Sequence, residues 1–278
     1  MEATIPFKPQ SRARSPFIDP SSELIPPSER ESVLELGLSH IRLGVWIDEF
    51  ASTLELLDYC QKELRKLQKQ KNANREEGHT KSILPRMFGS AEEKKKAFKE
   101  DDRLRRKQER IERRMQGFRE WAVIAAKGAA LALHDFGRAH IQITDLLAKR
   151  AKSVDDMIPA ATKKEVTKLF HDEFDEIYAA IRDGISHMQE KFGPGPKGRA
   201  KHLPKGEQEL MYGLAITGRR FSTTWKGKTH SIMLDNSTAI KMERVYHLWA
   251  VAFRCAIAAI NQPNSERKVE SLRRLKTI

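Results

Sequence analysis

Apolar residues recur at helical spacing through most of the chain. Val33, Leu34, Leu38, Ile41, Val45, Phe50, Leu54, Leu57, Leu64 and Leu67 predict a long first helix over about 30–70. Ser28-Glu29-Arg30-Glu31 just before it has the capping-box pattern, in which a hydroxyl takes a free amide and an acid reaches back. The stretch from Asn72 to Pro85 is polar, contains Gly78 and ends in proline, which predicts a loop. Ser90-Ala91-Glu92-Glu93 then starts a charged helix by the same capping logic. It leads to Gly117 and an apolar segment that includes Trp121, Ile124, Phe136, Ile141, Ile143 and Leu146. Small residues at Ala125, Gly128, Ala129 and Ala132 would let another helix approach closely, which marks a core helix.

Pro159 separates this segment from the next. Thr162-Lys163-Lys164-Glu165 is a third capping-box pattern, and Val166, Leu169, Phe170, Phe174, Ile177, Tyr178, Ile181 and Ile185 predict a helix to about Lys191. Gly193-Pro194-Gly195-Pro196 breaks it. Two β-prone runs, Arg220–Trp225 and Thr229–Leu234, flank a short glycine-containing turn and predict a β-hairpin. A last helix, capped by Asn236 or Ser237, carries Ile240, Val245, Leu248, Trp249, Phe253 and Ile257 and stops at Pro263. The predicted fold class is all-α, an antiparallel helical bundle with a long charged helix and a small hairpin near 220–234. Residues 1–27, with six prolines and little apolar periodicity, read as a flexible arm. Residues 28–262 form the helical domain, with a charged insert over 72–114 and a loop and hairpin over 193–235, and 263–278 are a basic tail.

Charge sharpens this picture. The 278 residues carry 51 Lys and Arg against 38 Asp and Glu, a net +13. From Gln61 to Arg114 there are 19 basic residues against 10 acidic ones, a surplus of 9. Opposite charges three and four apart suit a solvated helix, and clustered cations suit phosphate; both readings fit Lys94, Lys95, Lys96, Arg103, Arg105, Arg106 and Lys107. The expected partner of such a surface is RNA or DNA. No apolar run is long enough to span a membrane, and the residues after Met1 contain no apolar signal core. The expectation is a soluble, cytoplasmic protein with no membrane partner.

Two cysteines, Cys60 and Cys255, exclude a disulfide framework and sit on apolar helical faces as core thiols. None of the nine histidines forms the i, i+4 pair of a helical zinc site, and there is no CxxC, P-loop or GxSxG; the glycines of Gly193-Pro194-Gly195-Pro196-Lys197-Gly198 are spaced as GxGxxG but lack the strand–helix context of a phosphate-binding turn. No metal and no cofactor is expected. Phe221 and Trp225 of the hairpin suit either base stacking or packing on the helices. One short pattern remains, Arg182-Asp183-Gly184-Ile185-Ser186-His187, near the end of an amphipathic helix.

That pattern, Arg-polar-x-x-x-His, resembles the signature of the HEPN superfamily, small all-α domains found in toxins, CRISPR effectors and phage-defence proteins. The segment Trp121–Ala130, followed by His134-Asp135-Phe136, and then by Phe174 ahead of the motif, is similar to the abortive-infection, AbiU-like branch. The resemblance covers about 30–262, and only the six-residue motif in it is specific.

The resemblance implies a metal-independent endoribonuclease, a toxin or phage-defence effector that cleaves RNA by attack of the 2′-hydroxyl on the neighbouring phosphate. His187 would serve as base or acid, because an unperturbed imidazole titrates near about 6.5. Arg182 would hold the phosphate with its planar fork, and Asp183 would orient one of the two. Five residues on a helix turn through about 140°, so one helix presents the pair poorly; active sites in the family form at dimer interfaces, and the resemblance therefore implies a homodimer with facing motif helices. An antitoxin or activating protein is a further expected partner. The plain alternative is that Arg182 and His187 are surface residues opposing the helix dipole, in a non-catalytic nucleic-acid-binding or scaffold protein.

Overall fold

The computed structural model describes residues 16–186, 215–217, 219–225 and 228–262. The chain is mostly helical with one small sheet. In order come a 3-10 turn (Pro27–Glu29), α1 (Arg30–Gly78), a π-helical turn (His79–Ile83), α2 (Leu84–Phe88), α3 (Ala91–Lys149), α4 (Lys152–Met157) and α5 (Ala160–Ser186). The strands β1 (Ala215–Thr217), β2 (Arg220–Trp225) and β3 (Lys228–Met233) follow, and α6 (Asn236–Asn261) closes the order. No helix among the described residues is long and apolar enough to cross a membrane. The chain divides into two units: the first comprises residues 1–51 and 129–278, the second 52–128. The sequence boundaries of 72 and 114 for the charged insert fall inside the second.

The second unit is a helical hairpin. Leu67 of α1 meets Ile111 and Met115 of α3, with Leu64 and Phe118 packed against them. Tyr59 lies edge-on to Phe118, with ring centroids 6.0 Å apart. Further along, Asn74 donates to the Leu104 carbonyl (3.1 Å) and to Gln108 Oε1 (3.3 Å). Partners therefore step down α1 as they step up α3, the arrangement of antiparallel helices. Gly128 sits where a Cβ would come within 2.9 Å of Thr53 Cγ2, so glycine there sets how closely α3 approaches α1.

Several sequence boundaries move for physical reasons. The loop expected over Asn72–Pro85 is helical, because Asn74 is buried in the α1–α3 seam and Glu77 is held by Arg103 (3.0 Å) and Lys107 (3.2 Å) of α3. Pro85 follows directly on the π-helical turn His79–Ile83, where the chain changes its hydrogen-bond spacing within a continuous helical run. Gly117 does not interrupt α3, which runs unbroken for 59 residues. The Ser90 box forms as expected: Ser90 N donates to Glu93 Oε2 (2.6 Å), and Glu93 N to Ser90 Oγ (3.4 Å). The Ser28 box does not form. Glu29 instead reaches α4 and accepts from Ser153 N (3.0 Å) and Ser153 Oγ (2.6 Å), capping a helix that has no side-chain cap of its own. Thr162 lies inside α5, which starts at Ala160. In the proline-rich arm, Ile18 and Ile25 are buried.

In the first unit, Val33, Leu36, Leu43, Ile47 and Phe50 of α1 are almost fully buried. The neighbouring Leu34, Leu38, Ile41 and Val45, which belong to the same helical periodicity, are exposed. Helix α5 lies antiparallel to α3: Phe170 stacks on His140, Phe174 meets Phe136, and Tyr178 stacks on His134. Helix α6 begins with Asp235 accepting from Thr238 N at 3.1 Å, so the cap is the residue before the two that the sequence suggested. The hairpin forms as expected, with Phe221 opposite Ile232 and Trp225 opposite Lys228, and β1 adds a third antiparallel strand that the sequence pattern did not indicate. Phe221 is buried, which places it in the core and not on a base-stacking surface.

Where α3 passes α5, a Cβ on Gly137 would stand 2.3 Å from Tyr178 Cδ2. Gly137→Ala must displace that ring from a close-packed interior, at a cost of about 1–3 kcal/mol despite alanine's higher helix propensity. Urea denaturation checks this. Unchanged or raised stability would mean that the ring has room to move.

Candidate nucleic-acid interface and motif helix

The basic residues of α3 divide by helix face. Lys99, Arg103, Arg106, Lys107 and Arg110 fall within about a third of the helix circumference at 100° per residue. Together with Asp102 they line one groove of about 540 Å³ in the second unit. Their charges are not equivalent. Arg103 pairs with Glu77 and Glu100, and Lys107 pairs with Glu77. Lys99, Arg106 and Arg110 make no ion pair among the described residues. Against Asp102, Glu77 and Glu100 the five cations leave a positive surplus, and three of the five make no ion pair among the described residues.

The other cations singled out by sequence lie elsewhere. Lys96 pairs with Glu92 (3.5 Å) and Arg105 with Asp102 (3.1 Å). Lys94 and Arg105 project from the side of α3 away from the groove, and Lys94 and Lys95 are exposed without ion pairs among the described residues. Of the seven residues proposed from the charge run, the groove gathers Arg103, Arg106 and Lys107. It adds Lys99 and Arg110, which the run had not picked out because counting charge along the chain ignores helix phase. Glu77 organises the base of this surface: hydrogen bonds from Lys81 and then Lys107 hold its carboxyl down at about 2. It stays ionised and keeps Arg103 and Lys107 in place.

The motif divides as well. Arg182 and Asp183 lie in the final turns of α5, as expected, and His187 lies outside the described residues. Tyr178, one turn before Arg182, borders a second cleft of about 560 Å³ in the first unit. Its cations are each positioned by a partner or open. Arg42 donates to Gln142 Oε1 (3.3 Å), and Gln142 in turn donates to Glu35 (2.6 Å). Lys149 pairs with Asp145 at 3.1 Å, and Arg150 makes no ion pair among the described residues.

Sequence reasoning passed over the buried histidines. His40 stacks on Tyr246, with centroids 4.3 Å apart, and its Nε2 lies 3.2 Å from the Tyr246 carbonyl. His140 stacks on Phe170 at 3.9 Å, and its Nδ1 accepts from Trp249 Nε1 at 3.1 Å. Burial lowers the pKa of His40 to about 4 and that of His140 to about 3, so both rings are neutral and His140 carries its proton on Nε2. Their place on apolar helical faces was the available signal, and it points to core packing. Cys60 is likewise a core thiol, raised above its usual range by burial.

Against known protein families, curated proteins and solved structures, the chain matches none.

The histidines make stability pH-dependent. Their folded pKa values lie below the unfolded value of about 6.5, so unfolded chains bind more protons between those limits. Their contribution is complete above about pH 6.5 and is lost as pH falls towards 4 and then 3. Glu77 adds a separate loss between about 4.5 and 2. His140→Gln keeps an acceptor for Trp249 without a titrating ring. Urea denaturation from pH 7.5 to pH 5 is expected to show falling stability in the wild type and a shallower fall in His140→Gln. Equal slopes would show that His140 does not resist protonation in the fold.

Proposed function

We propose that this protein binds RNA along the basic groove of α3 and cleaves it as a HEPN-type, metal-independent endoribonuclease, a cytoplasmic toxin or phage-defence effector working as a homodimer. One observation supports an RNA-directed role above the others: Lys99, Arg103, Arg106, Lys107 and Arg110 line a single groove with one acid among them. Phosphates 6–7 Å apart along a strand match cations repeating at one helical turn, about 5.4 Å, without any demand for base sequence.

In this reading Arg182 and His187 supply the chemistry. The 2′-hydroxyl of one nucleotide attacks the adjacent phosphorus, His187 moves the proton, and Arg182 offsets the charge that builds on the phosphoryl oxygens. The leaving 5′-oxygen takes up a proton, and the products are a 2′,3′-cyclic phosphate and a 5′-hydroxyl. Asp183, next to Arg182, fixes the orientation of the pair. Catalysis of this kind draws on positioned charge and proton transfer alone. A ribonuclease of this type requires restraint in its host, which gives a neutralising or activating protein partner a physical reason to exist.

A second reading is a non-catalytic RNA-binding or scaffold protein of the same fold. It is favoured by Lys99, Arg106 and Arg110, whose free charges suffice for binding without the motif.

Two measurements on the full chain separate the readings. With EDTA present, the wild type is expected to cut total RNA into fragments ending in cyclic phosphate, while His187→Ala and Arg182→Ala leave it intact. RNA retained on the wild type but cut by neither protein would select the second reading. Binding to a single-stranded RNA is expected to weaken with salt at a slope of about −2 to −3.5, for three to five phosphates neutralised. Arg106→Glu with Arg110→Glu should lower affinity by at least about tenfold and flatten that slope. Unchanged affinity in this double variant would remove the groove from both readings.

A further inference from the structure

We propose that a second copy of this chain docks on the outward face of α1, through an antiparallel twofold seam of Leu34, Leu38, Ile41 and Val45. The proposal rests on the homodimer in the reading above and not on the cleavage chemistry, and it seats that homodimer on α1 in place of the facing motif helices that the resemblance implies.

Helix α1 carries two apolar stripes within the first unit. Val33, Leu36, Leu43 and Ile47 are at most 1% exposed and form the core. Leu34, Leu38, Ile41 and Val45 are 45%, 53%, 49% and 52% exposed. A helix that served only its own core would carry one such stripe and a polar back. Scattered exposed leucines need no explanation, but these four are ordered. Steps of four, three and four residues are the alternation of a coiled-coil seam, held over about 16 Å of helix. Contiguous apolar surface of this kind marks an interaction site.

The occupant follows from the symmetry of the pattern. A twofold axis crossing α1 between residues 39 and 40 sets Leu38 against the partner's Ile41 and Leu34 against the partner's Val45. The same operation sets Glu35 beside the partner's Arg42, and Arg42 beside the partner's Glu35. Both side chains already lie on one flank of α1, since Gln142 accepts from Arg42 (3.3 Å) and donates to Glu35 (2.6 Å). On the opposite flank, Gly37 has nothing within 4 Å of the place a Cβ would occupy, so a facing helix can come close there. Parallel pairing would instead face Arg42 with the partner's Gly37 and leave it no carboxylate. Apolar spacing and charge thus agree on one arrangement, and both are complementary to themselves. An isologous contact requires that property, and a foreign partner has no use for it.

Four half-exposed side chains and their flanking charges from each copy give an interface below the standard size, so the dimer is weak and reversible, with a dissociation constant on the order of 10 μM. Light scattering after size exclusion, on the full chain from about 0.5 to about 100 μM, should show mass rising from monomer to dimer across this range. Leu38→Glu and Ile41→Lys are substitutions at exposed sites. Each should weaken association by more than about thirtyfold with circular dichroism unchanged. Glu35→Arg alone and Arg42→Glu alone should each weaken it several-fold, and the double variant should return to near the wild-type value. Oxidation of a Leu34→Cys chain mixed with a Val45→Cys chain should link the two to each other, and not each to its own kind.

A dimer indifferent to Leu38→Glu and Ile41→Lys would overturn the seam and leave the homodimer standing. Links between Leu34→Cys chains alone would overturn the antiparallel arrangement. A monomer throughout the range would end both the seam and the homodimer reading, while cleavage of RNA by that monomer would leave the chemistry intact.

Discussion

Trp249 and His140 are both ring systems buried in the core of the first unit, and each has a polar atom that the core cannot hydrate. The indole hydrogen meets Nδ1 of the imidazole at 3.1 Å, which satisfies both at once. Buried donors left alone cost about 1–3 kcal/mol, so the pair is more important as a constraint than as a bond. It fixes the tautomer of His140 and the rotation of Trp249, and with them the distance from α3 to α6. Phe170 of α5 then stacks on the imidazole, so three helices converge on one ring. His40 repeats the device between α1 and α6 through Tyr246 and Phe253. The apolar surface supplies the drive to bury these helices, and the two neutral histidines restrict how they can be buried.

The second unit is organised by charge to a degree that the first is not. Its apolar seam is narrow, with Leu67, Ile111 and Met115 at the centre, and the flanks are ion pairs. Surface pairs contribute little to stability individually. Their effect here is one of placement: Glu77 draws Arg103 and Lys107 against α1, and Asp102 draws Arg105 towards its own turn. The cations that escape such partners define what the surface can bind.

The helical character, the hairpin and the Ser90 cap were all legible in the sequence, because each depends on neighbours within a few residues. Misreadings arose where a distant partner decided the outcome. Asn72–Pro85 reads as a loop by composition, yet Leu104, Arg103 and Lys107 hold its first half in helix. Ser28 reads as a cap, yet Glu29 serves α4 from 124 positions away. Periodicity on α1 identified a helix but merged its inner and outer stripes, because Leu34 and Leu36 differ only in phase. Of the candidate site, the sequence indicated the charged helix and the motif on α5, but not which cations share a groove. Spacing along a chain does not reveal which of them an acid on another helix has already taken.

Asn74 has a consequence for how this chain can change over generations. Its buried amide grips the Leu104 carbonyl from the facing helix, a grip that fits at one offset between the two arms. Sliding one arm by a turn would take the amide away from the Leu104 carbonyl and the Gln108 side chain together. An insertion of seven residues in α1 alone, harmless to the helix itself, would break this match everywhere beyond it. Equal insertions on either side of the bend restore it. The length of the hairpin is therefore inherited as a paired quantity, free to grow or shrink only when both arms do so together.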